Sequence, residues 1–263
     1  MLPLHSRLCA SPRAALTERA CTNSGARERK HMKRSEINRA ISQATETLDN
    51  LKFKLPPWGY WTAKDWQGVG SEADEIRTHG LGWIVTDFGS SQFDKVGLII
   101  FVARNGCLKH GKPVDTITYA EKFMIVQPGQ VTPYHFHWCK TEDLINRSGG
   151  RMAVELAWAN DDEKSLSDKK VVVQVDGMTK NLKPSERLVL QPGQSVTFPP
   201  KLCHQFFGYP DDGTILAGEV SSLNDDSTDN CFLGKPFART AIDEDEPKKY
   251  LMIDEYALAA KPR

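Results

Sequence analysis

The stretch YHFHWCKTE, residues 134–142, places His135 and His137 two positions apart and Glu142 five positions further on. Residues two apart in a β-strand point to the same face of a sheet, so both imidazoles project to one side. A short turn after the strand lets Glu142 return a carboxylate oxygen to the same point. Two imidazoles and a carboxylate are ligands that suit a divalent first-row metal ion. The stretch therefore predicts a strand that carries most of a metal site.

A third imidazole from a separate strand would complete a four-ligand site and leave coordination positions open for a substrate. His204 is the best candidate, because it follows the Pro199-Pro200 pair and begins an apolar segment. The remaining histidines lie in segments flanked by Gly or Lys, or within the first 31 residues. A lone histidine is more often a packing or surface residue than a ligand, so the wider sequence frame must decide.

Composition excludes several classes of partner. The 263 residues contain 34 Lys and Arg and 34 Asp and Glu, so the formal net charge is zero and nothing favours nucleic acid or an anionic membrane. No apolar run approaches the roughly 18 residues that cross a bilayer, and the six cysteines form no CxxC pair. We predict a soluble, cytoplasmic protein that binds small molecules and neither nucleic acid nor membranes.

The N-terminal segment differs from the rest of the chain. Residues 1–31 are rich in Arg, Ala and Ser and show no sustained apolar period, whereas "MKRSEINRA", which follows, resembles a natural start. We predict that residues 1–31 form a disordered extension; a targeting peptide is the alternative. Residues 32–263 contain no linker that would divide them, so they are predicted to form a single domain.

Short β-rich segments dominate the chain after a predicted amphipathic helix at 35–49. Two of them share a strand, a Pro-Gly-Gln turn and a second strand, with Pro128 recurring as Pro192. Repeated strands and tight turns of this kind are typical of an antiparallel sandwich or small barrel. The segment 241–259 has acidic residues followed by an apolar-periodic tail and predicts a short C-terminal helix.

The two metal-bearing blocks resemble the paired motifs of the cupin superfamily. The first block matches every interval of Gly, His-x-His, Glu and Gly, with Gly129, His135, His137, Glu142 and Gly149. The second matches at Gly193, Pro199 and His204, but has Lys201 where the motif has Gly and Gly208 where it has Asn. These departures affect turn residues, not ligands. The resemblance implies a mainly β fold, a cupin-type antiparallel β-barrel of the jelly-roll kind, with helices at its N- and C-terminal ends.

Longer stretches resemble one cupin family in particular. The segments "EKFMIVQPGQVTPYHFHWCKTEDLINRSGG", "PGQSVTFPPKLCHQF" and "GEVSSLNDDSTDN" are similar to the D-lyxose isomerase family, and the likeness covers nearly all of residues 32–256. The resemblance implies a homodimeric, metal-dependent ketol-isomerase that interconverts D-lyxose and D-xylulose, with D-mannose and D-fructose as related substrates. It also implies Mn²⁺ as the ion, although the same ligand set accepts Fe, Co, Ni or Zn.

Isomerisation of an aldose to a ketose moves a proton between C2 and C1, so it needs a Lewis acid on the sugar oxygens and a nearby acid-base group. Lys122 lies in "EKFMIV", where a buried ammonium is costly without a partner or a task; an edge lysine that reaches solvent is the alternative. Glu219 lies in the β-rich "LAGEVSS". Glu219 is the predicted base of an enediol proton transfer and Lys122 the predicted group that stabilises or protonates a sugar oxygen; the reverse assignment stays open.

The resemblance to the D-lyxose isomerase family also implies that Lys122, Asp229 and Arg239 contact the substrate.

Two other functions remain open at this point, because fold alone does not determine function. One is a cupin oxygenase in which a His and Glu iron site activates dioxygen; an apolar pocket would favour it. The other is a cupin that binds sugar or metal without turnover.

Overall fold

The structure is a computed structural model of the full chain. It describes residues 32–109, 112–223, 225, 228–233 and 241–256. The predicted disorder of the first 31 residues concerns a segment outside this range and stays a prediction, as does the single domain from residue 32 to 263.

Strands outnumber helices throughout the described chain. The helices are α1 (Arg34–Asn50), α2 (Asp74–Thr78) and 3-10 turns at Pro57–Tyr60 and Ser71–Ala73. The strands are β1 (Met32–Lys33), β2 (Gly82–Thr86), β3 (Leu98–Arg104), β4 (Leu108–Lys109), β5 (Lys112–Pro113), β6 (Tyr119–Val126), β7 (Val131–Phe136), β8 (Glu142–Gly149), β9 (Met152–Trp158), β10 (Val171–Val175), β11 (Met178–Leu182), β12 (Arg187–Leu190), β13 (Ser195–Phe198), β14 (Leu202–Gly208), β15 (Ile215–Ser222), β16 (Cys231–Phe232) and β17 (Ile242–Asp243). Of the helices in the described ranges, none is both long and apolar enough to cross a membrane.

Two antiparallel sheets form the body of the molecule. One has eight strands in the order β11-β10-β13-β8-β15-β6-β3-β2, and the other has five in the order β12-β9-β14-β7-β16. Apolar side chains from both sheets pack into one interior cluster, which includes Met124, Leu144, Val154, Leu156 and Phe206. The alternation of inward apolar and outward polar residues produces this two-layer arrangement. The predicted mainly β, jelly-roll fold is confirmed.

The repeated Pro-Gly-Gln segments form matching turns, as predicted. Gly129 and Gly193 have φ values of 72° and 95°, a left-handed conformation that glycine adopts without steric cost. In each turn the glutamine N–H donates to the carbonyl oxygen three residues earlier, at 3.0 Å. Each turn delivers the chain into a strand that carries or adjoins the predicted metal ligands.

Helix α1 covers the outer face of the eight-stranded sheet. Its bounds, Arg34–Asn50, confirm the predicted helix. The apolar stripe of α1 is buried against β2 and β3, in a second cluster that includes Ile37, Ile41, Leu48, Trp83, Val85, Ile99 and Phe101. An amphipathic helix of this length gains most of its stability from such packing. Because α1 covers the outer face, the inner face remains available for the site.

The predicted C-terminal helix is wrong for the described residues 241–256, which contain a short strand and turns but no helix. Pro247 lacks the N–H that a helix interior requires. The acidic residues bond to α1 instead: Glu244 and Glu255 both pair with the Arg34 guanidinium, whose side chain is 0% exposed. Ion pairs with Arg34 therefore hold residues 241–256 against α1, and this segment does not form the local hydrogen bonds of a helix.

Candidate metal centre

Three histidines and one glutamate meet between the two sheets. The register of β14 and β7 places His204 directly beside His135. Each of His135, His137 and His204 offers a ring nitrogen, and these nitrogens lie within 4.8 Å of one another. The Oε1 atom of Glu142 lies 2.9 Å from Nε2 of His204 and 3.5 Å from Nε2 of His137. All four predicted ligands are buried and adjacent.

Backbone carbonyls fix the tautomer of each ring. Every one of the three imidazoles has its Nδ1 atom within hydrogen-bond distance of a backbone oxygen. The distances are 2.8 Å from His135 to Pro133, 2.7 Å from His137 to Asp229 and 3.1 Å from His204 to Leu202. A carbonyl oxygen only accepts, so Nδ1 carries the hydrogen and Nε2 is the nitrogen that can bind a metal. Histidines that bind metals commonly have this arrangement.

The donor atoms fit a divalent ion. Nε2 of His137 is buried and has no hydrogen-bond partner among the described residues, since its 3.5 Å separation from Glu142 is too long for a good hydrogen bond. Burial and the neighbouring His204 and His137 hold the pKa of His135 well below its ordinary value. The ring is therefore neutral at pH 7, which is the form that binds a metal. The buried histidine group is thus able to hold a metal ion.

The carboxylate of Glu142 is ionised in the same pocket. Burial alone would raise its pKa, but the ammonium of Lys140 and the rings of His137 and His204 outweigh that effect and hold the pKa well below its ordinary value. An ionised carboxylate is the form that binds a cation. Glu142 therefore supplies an anionic oxygen beside three imidazole nitrogens, a set that suits first-row divalent ions.

A buried chain of charges connects this group to the predicted catalytic residues. The Nζ atom of Lys140 lies 2.6 Å from Oε2 of Glu142 and 2.8 Å from Oε1 of Glu219. The Nζ atom of Lys122 lies 3.4 Å from the same Glu219 oxygen. The registers of β15 with β6 and β8 place Glu219 beside Lys122 and Leu144. Two ammonium groups thus compensate two carboxylates in a site that water scarcely reaches.

Lys140 is the residue that sequence reasoning missed. A lysine in a turn between strands normally reaches solvent, and its second partner, Glu219, is 79 residues away in the chain. The structure buries its side chain to 1% exposure. Its position two residues before the predicted ligand Glu142 is the one signal in the sequence that could have indicated a role.

Asp229 lies beside the centre, but its carboxylate does not face the cavity. Its Oδ1 and Oδ2 accept the backbone N–H groups of Cys139 and Lys140 at 2.9 and 3.0 Å, and its carbonyl accepts the Nδ1–H of His137. The neighbouring Asn230 lines the cavity instead. Arg239, the other predicted substrate contact, lies outside the described residues.

Two positions of the sequence motifs have a left-handed backbone conformation. Gly149 has φ 95°, and a Cβ there would lie 2.1 Å from the carbonyl oxygen of Thr214. Lys201, which replaces the motif glycine, has φ 66°, in the left-handed region that disfavours a side chain. Its N–H donates to the carbonyl oxygen of His137 at 2.8 Å. The motif turn therefore forms despite the substitution and holds the strand that carries His204.

The centre lies at one end of a cavity between the sheets. The cavity has an empty volume of about 730 Å³, which includes open solvent at its mouth. The charged end is lined by Lys122, Lys140, Glu142, Glu219 and the three histidines. The other walls are mostly apolar and include Ile84, Phe88, Leu98, Ile100, Met124 and Phe206.

Solved structures with a similar fold are sugar isomerases. An L-ribose isomerase from Cellulomonas parahominis, solved with L-ribose, has a TM-score of 0.53 at 18% identity and covers 82% of this chain and 100% of that chain. One from Acinetobacter sp. DL28, also in complex with L-ribose, has a TM-score of 0.54 at 19% identity and covers 82% of this chain and 99% of its own. At this level of identity the likeness shows the fold.

Sequence comparisons are more specific. A family model described as D-lyxose isomerase matches residues 32–256. A D-lyxose/D-mannose isomerase from Escherichia coli O157:H7 is 41% identical over 226 residues, which cover 86% of this chain and 98% of the relative. Another from Serratia proteamaculans is 40% identical over 227 residues, with the same coverage of both chains. The chain therefore belongs to the D-lyxose isomerase family, and it is an isomerase that acts on sugars.

Proposed function

We propose that this isomerase interconverts D-lyxose with D-xylulose, and D-mannose with D-fructose, and that it requires a divalent metal ion. One observation carries the proposal: the buried carboxylate of Glu219 and the ammonium of Lys122 line the same cavity as the histidine group. Both relatives at about 40% identity are named D-lyxose/D-mannose isomerases, which supports the choice of sugars.

The residues that would hold the ion are His135, His137, Glu142 and His204. When bound, the ion supplies a Lewis acid that polarises the sugar carbonyl and stabilises negative charge on its oxygens. Mn²⁺ is our first choice, and Fe, Co, Ni and Zn suit the same three nitrogens and one oxygen. Imidazoles whose Nδ1 atoms are already held by backbone carbonyls, and a carboxylate that is already ionised, minimise the rearrangement that binding requires.

Glu219 is assigned the proton transfer between carbons. In the direction from aldose to ketose, its carboxylate takes the proton from C2 and returns it to C1. A second proton leaves the hydroxyl on C2 and reaches the former carbonyl oxygen on C1. Lys122, 3.4 Å from Glu219, is assigned this transfer between oxygens, because its ammonium donates to an oxygen where negative charge develops. The reverse assignment of the two residues is the alternative.

Lys140 is assigned a positioning role. It contacts both Glu142 and Glu219, so one ammonium fixes the distance between the carboxylate that binds the ion and the carboxylate that moves the proton. Such fixed charges act strongly here, because the site is buried and the effective dielectric constant is low. Asp229 is also assigned a positioning role, because its carboxylate holds the backbone N–H groups of Cys139 and Lys140. Arg239 remains the proposed contact for sugar hydroxyls.

We also propose that the protein is a cytoplasmic homodimer. The family resemblance supports a homodimer, and the composition supports a cytoplasmic protein whose residues 32–263 form one domain. Light scattering after size-exclusion chromatography measures the mass directly. A mass near twice the 29.5 kDa of the chain would support the dimer, and a mass near 29.5 kDa would exclude it.

The experiment that tests the function starts from protein stripped of metal by a chelator. D-lyxose or D-mannose is supplied in deuterated water, with and without added Mn²⁺, and the ketose is followed by NMR. Ketose that appears only with the ion, with deuterium at C1, would support both the isomerisation and the proton transfer. Bound metal and bound sugar without ketose would support a binding protein, and oxygen uptake on an aromatic substrate would support an oxygenase.

A further inference from the structure

The hydroxyl of Thr132 is a buried polar group without an evident task. Thr132 lies on β7 and is 2% exposed, and it lines the cavity described above. Its Oγ1 atom has no hydrogen-bond partner among the described residues. Leaving a buried hydroxyl unsatisfied costs about 1–3 kcal/mol, so an unpaired one that faces a cavity indicates a ligand that completes it.

A β-bulge turns this hydroxyl toward the site. On β14, His204 and Phe206 are two positions apart. Their partners on β7, His135 and Thr132, are three positions apart. The extra residue on β7 reverses the normal alternation of side chains. Without it, Thr132 and His135 would point to opposite faces; with it, both line the interior. Bulges of this kind commonly re-aim a side chain at a functional site.

The surroundings of Thr132 contain little else that is polar. Across the cavity, the interior row next to the charged end consists of Ile84, Ile100 and Met124, which the strand registers place side by side. Phe206 is the direct partner of Thr132 on the neighbouring strand. A sugar whose C1 and C2 oxygens lie at the histidine group would therefore extend its remaining carbons past a mostly hydrocarbon wall, where Thr132 offers a hydroxyl that has no partner in the described protein.

The spacing along the strands identifies the sugar atom that Thr132 reaches. His204, which pairs with His135, and Phe206, which pairs with Thr132, are two positions apart on β14. At about 3.3 Å per residue, Thr132 therefore lies roughly 6.6 Å along the strand from the His204–His135 pair. The five carbons of an extended pentose span about 5 Å, because four bonds of about 1.5 Å are arranged in a zigzag. We propose that Thr132 is a specificity-determining residue that hydrogen-bonds the terminal hydroxyl of the pentose, on C5. This inference rests on the proposed function for the placement of C1 and C2.

A change in the enzyme and a matching change in the sugar test the contact together. Thr132→Val removes the hydroxyl and keeps the shape of the side chain, and 5-deoxy-D-lyxose removes the sugar's half of the hydrogen bond. We expect the variant to lower kcat/KM for D-lyxose about tenfold, the effect of a single lost hydrogen bond, and to leave kcat/KM for the 5-deoxy sugar unchanged. Equal loss for both sugars would overturn the proposal.

Thr86→Val is the matched control. Thr86 also lines the apolar part of the cavity, but its hydroxyl already accepts the N–H of Phe88 at 3.0 Å. We expect this variant to lower the melting temperature while the ratio of kcat/KM for the two sugars stays at the wild-type value. Thr132→Val should instead keep or raise the melting temperature, because it removes an unsatisfied hydroxyl. A lower melting temperature with an unchanged ratio would make Thr132 a structural residue.

Binding of a polyol keeps this test independent of turnover. D-arabinitol, the reduced form of D-lyxose, has the same terminal hydroxyl and no carbonyl, so calorimetry measures recognition alone. Weaker binding of D-arabinitol to Thr132→Val, with no change for its analogue deoxygenated at that terminus, would support the contact even if no aldose were isomerised. Identical binding of D-arabinitol to both proteins would overturn the contact, and would leave the isomerase proposal intact if D-lyxose is still converted.

Discussion

The Nζ atom of Lys140 lies 2.6 Å from Oε2 of Glu142, and both side chains are buried. The same ammonium also contacts Glu219, so removing it leaves two buried carboxylates with reduced compensation. An uncompensated buried charge destabilises a protein far more than a broken surface pair does. A divalent ion would restore much of the missing positive charge.

Lys140→Met should therefore destabilise the protein without metal by about 3 kcal/mol, and added Mn²⁺ should recover a larger part of the free energy of unfolding than it adds to the wild type. Urea unfolding with and without the ion measures both quantities. Lys54→Met is the control, because Lys54 pairs with Asp49 on the surface and its side chain is 71% exposed. An equal metal effect in Lys140→Met and wild type would contradict the assigned role.

Glu219→Gln should reduce kcat by roughly 10³-fold, since an amide cannot take the C2 proton. Metal content, measured by elemental analysis, and calorimetric binding of D-arabinitol should change little, because Glu219 is not among the four assigned ligands. Exchange of the C2 proton with deuterated water separates the two assignments. If Glu219→Gln retains that exchange and Lys122→Met loses it, Lys122 is the base.

Asp229→Ala should weaken metal binding by about 10- to 100-fold and leave KM for D-lyxose nearly unchanged at saturating metal. The carboxylate holds the turn at Cys139 and Lys140, and the carbonyl of the same residue fixes the His137 ring. Competition with a fluorescent chelator measures the affinity. The exposed Asp211→Ala serves as the control. A raised KM with unchanged metal affinity would instead make Asp229 the sugar contact that its sequence context suggested.

Three of the four proposed metal ligands could be brought together from sequence because their geometry is local. His135, His137 and Glu142 lie within eight residues, and alternation along a strand fixes the face of the two histidines. Lys122 and Glu219 could be suggested because a charged residue within an apolar strand is costly without a purpose. The structure places both beside the histidine group, although their catalytic roles stay predictions.

Other features depended on information that the local sequence does not carry. Alternation counted back from His135 directs Thr132 away from the cavity, and only the pairing with β14 reveals the bulge that reverses it. The role of Lys140 depends on Glu219, a partner from a distant strand. The C-terminal segment has a helical pattern, but its acids bond to Arg34, more than 200 residues earlier in the chain. Each case is a tertiary contact that overrides a local preference.

The ion pairs of Arg34 connect the two ends of the described chain. The guanidinium contacts Glu244 at 2.8 Å and also pairs with Glu255, which in turn contacts Lys248 at 2.8 Å. Burial alone would raise the pKa of Glu255, but hydrogen bonds from Arg34 and Lys248 outweigh it and lower the pKa below its ordinary value. The pKa of Glu244 is lowered as well, chiefly by Arg34.

Glu255→Gln should destabilise the protein by about 2 kcal/mol at pH 7 and flatten its acid sensitivity. A carboxyl group whose pKa is lower in the folded state contributes stability that is complete above the unfolded value, near 4.3, and disappears as pH falls through the folded value. Below pH 4.3, the free energy of unfolding of the wild type should therefore fall by up to about 1.4 kcal/mol per pH unit because of this group. Glu255→Gln should not show this part of the pH dependence. Urea unfolding between pH 3 and 7 measures the curve, with the exposed Glu46→Gln on α1 as the control. Parallel curves for Glu255→Gln and wild type would show that this ion pair does not anchor the C-terminal segment.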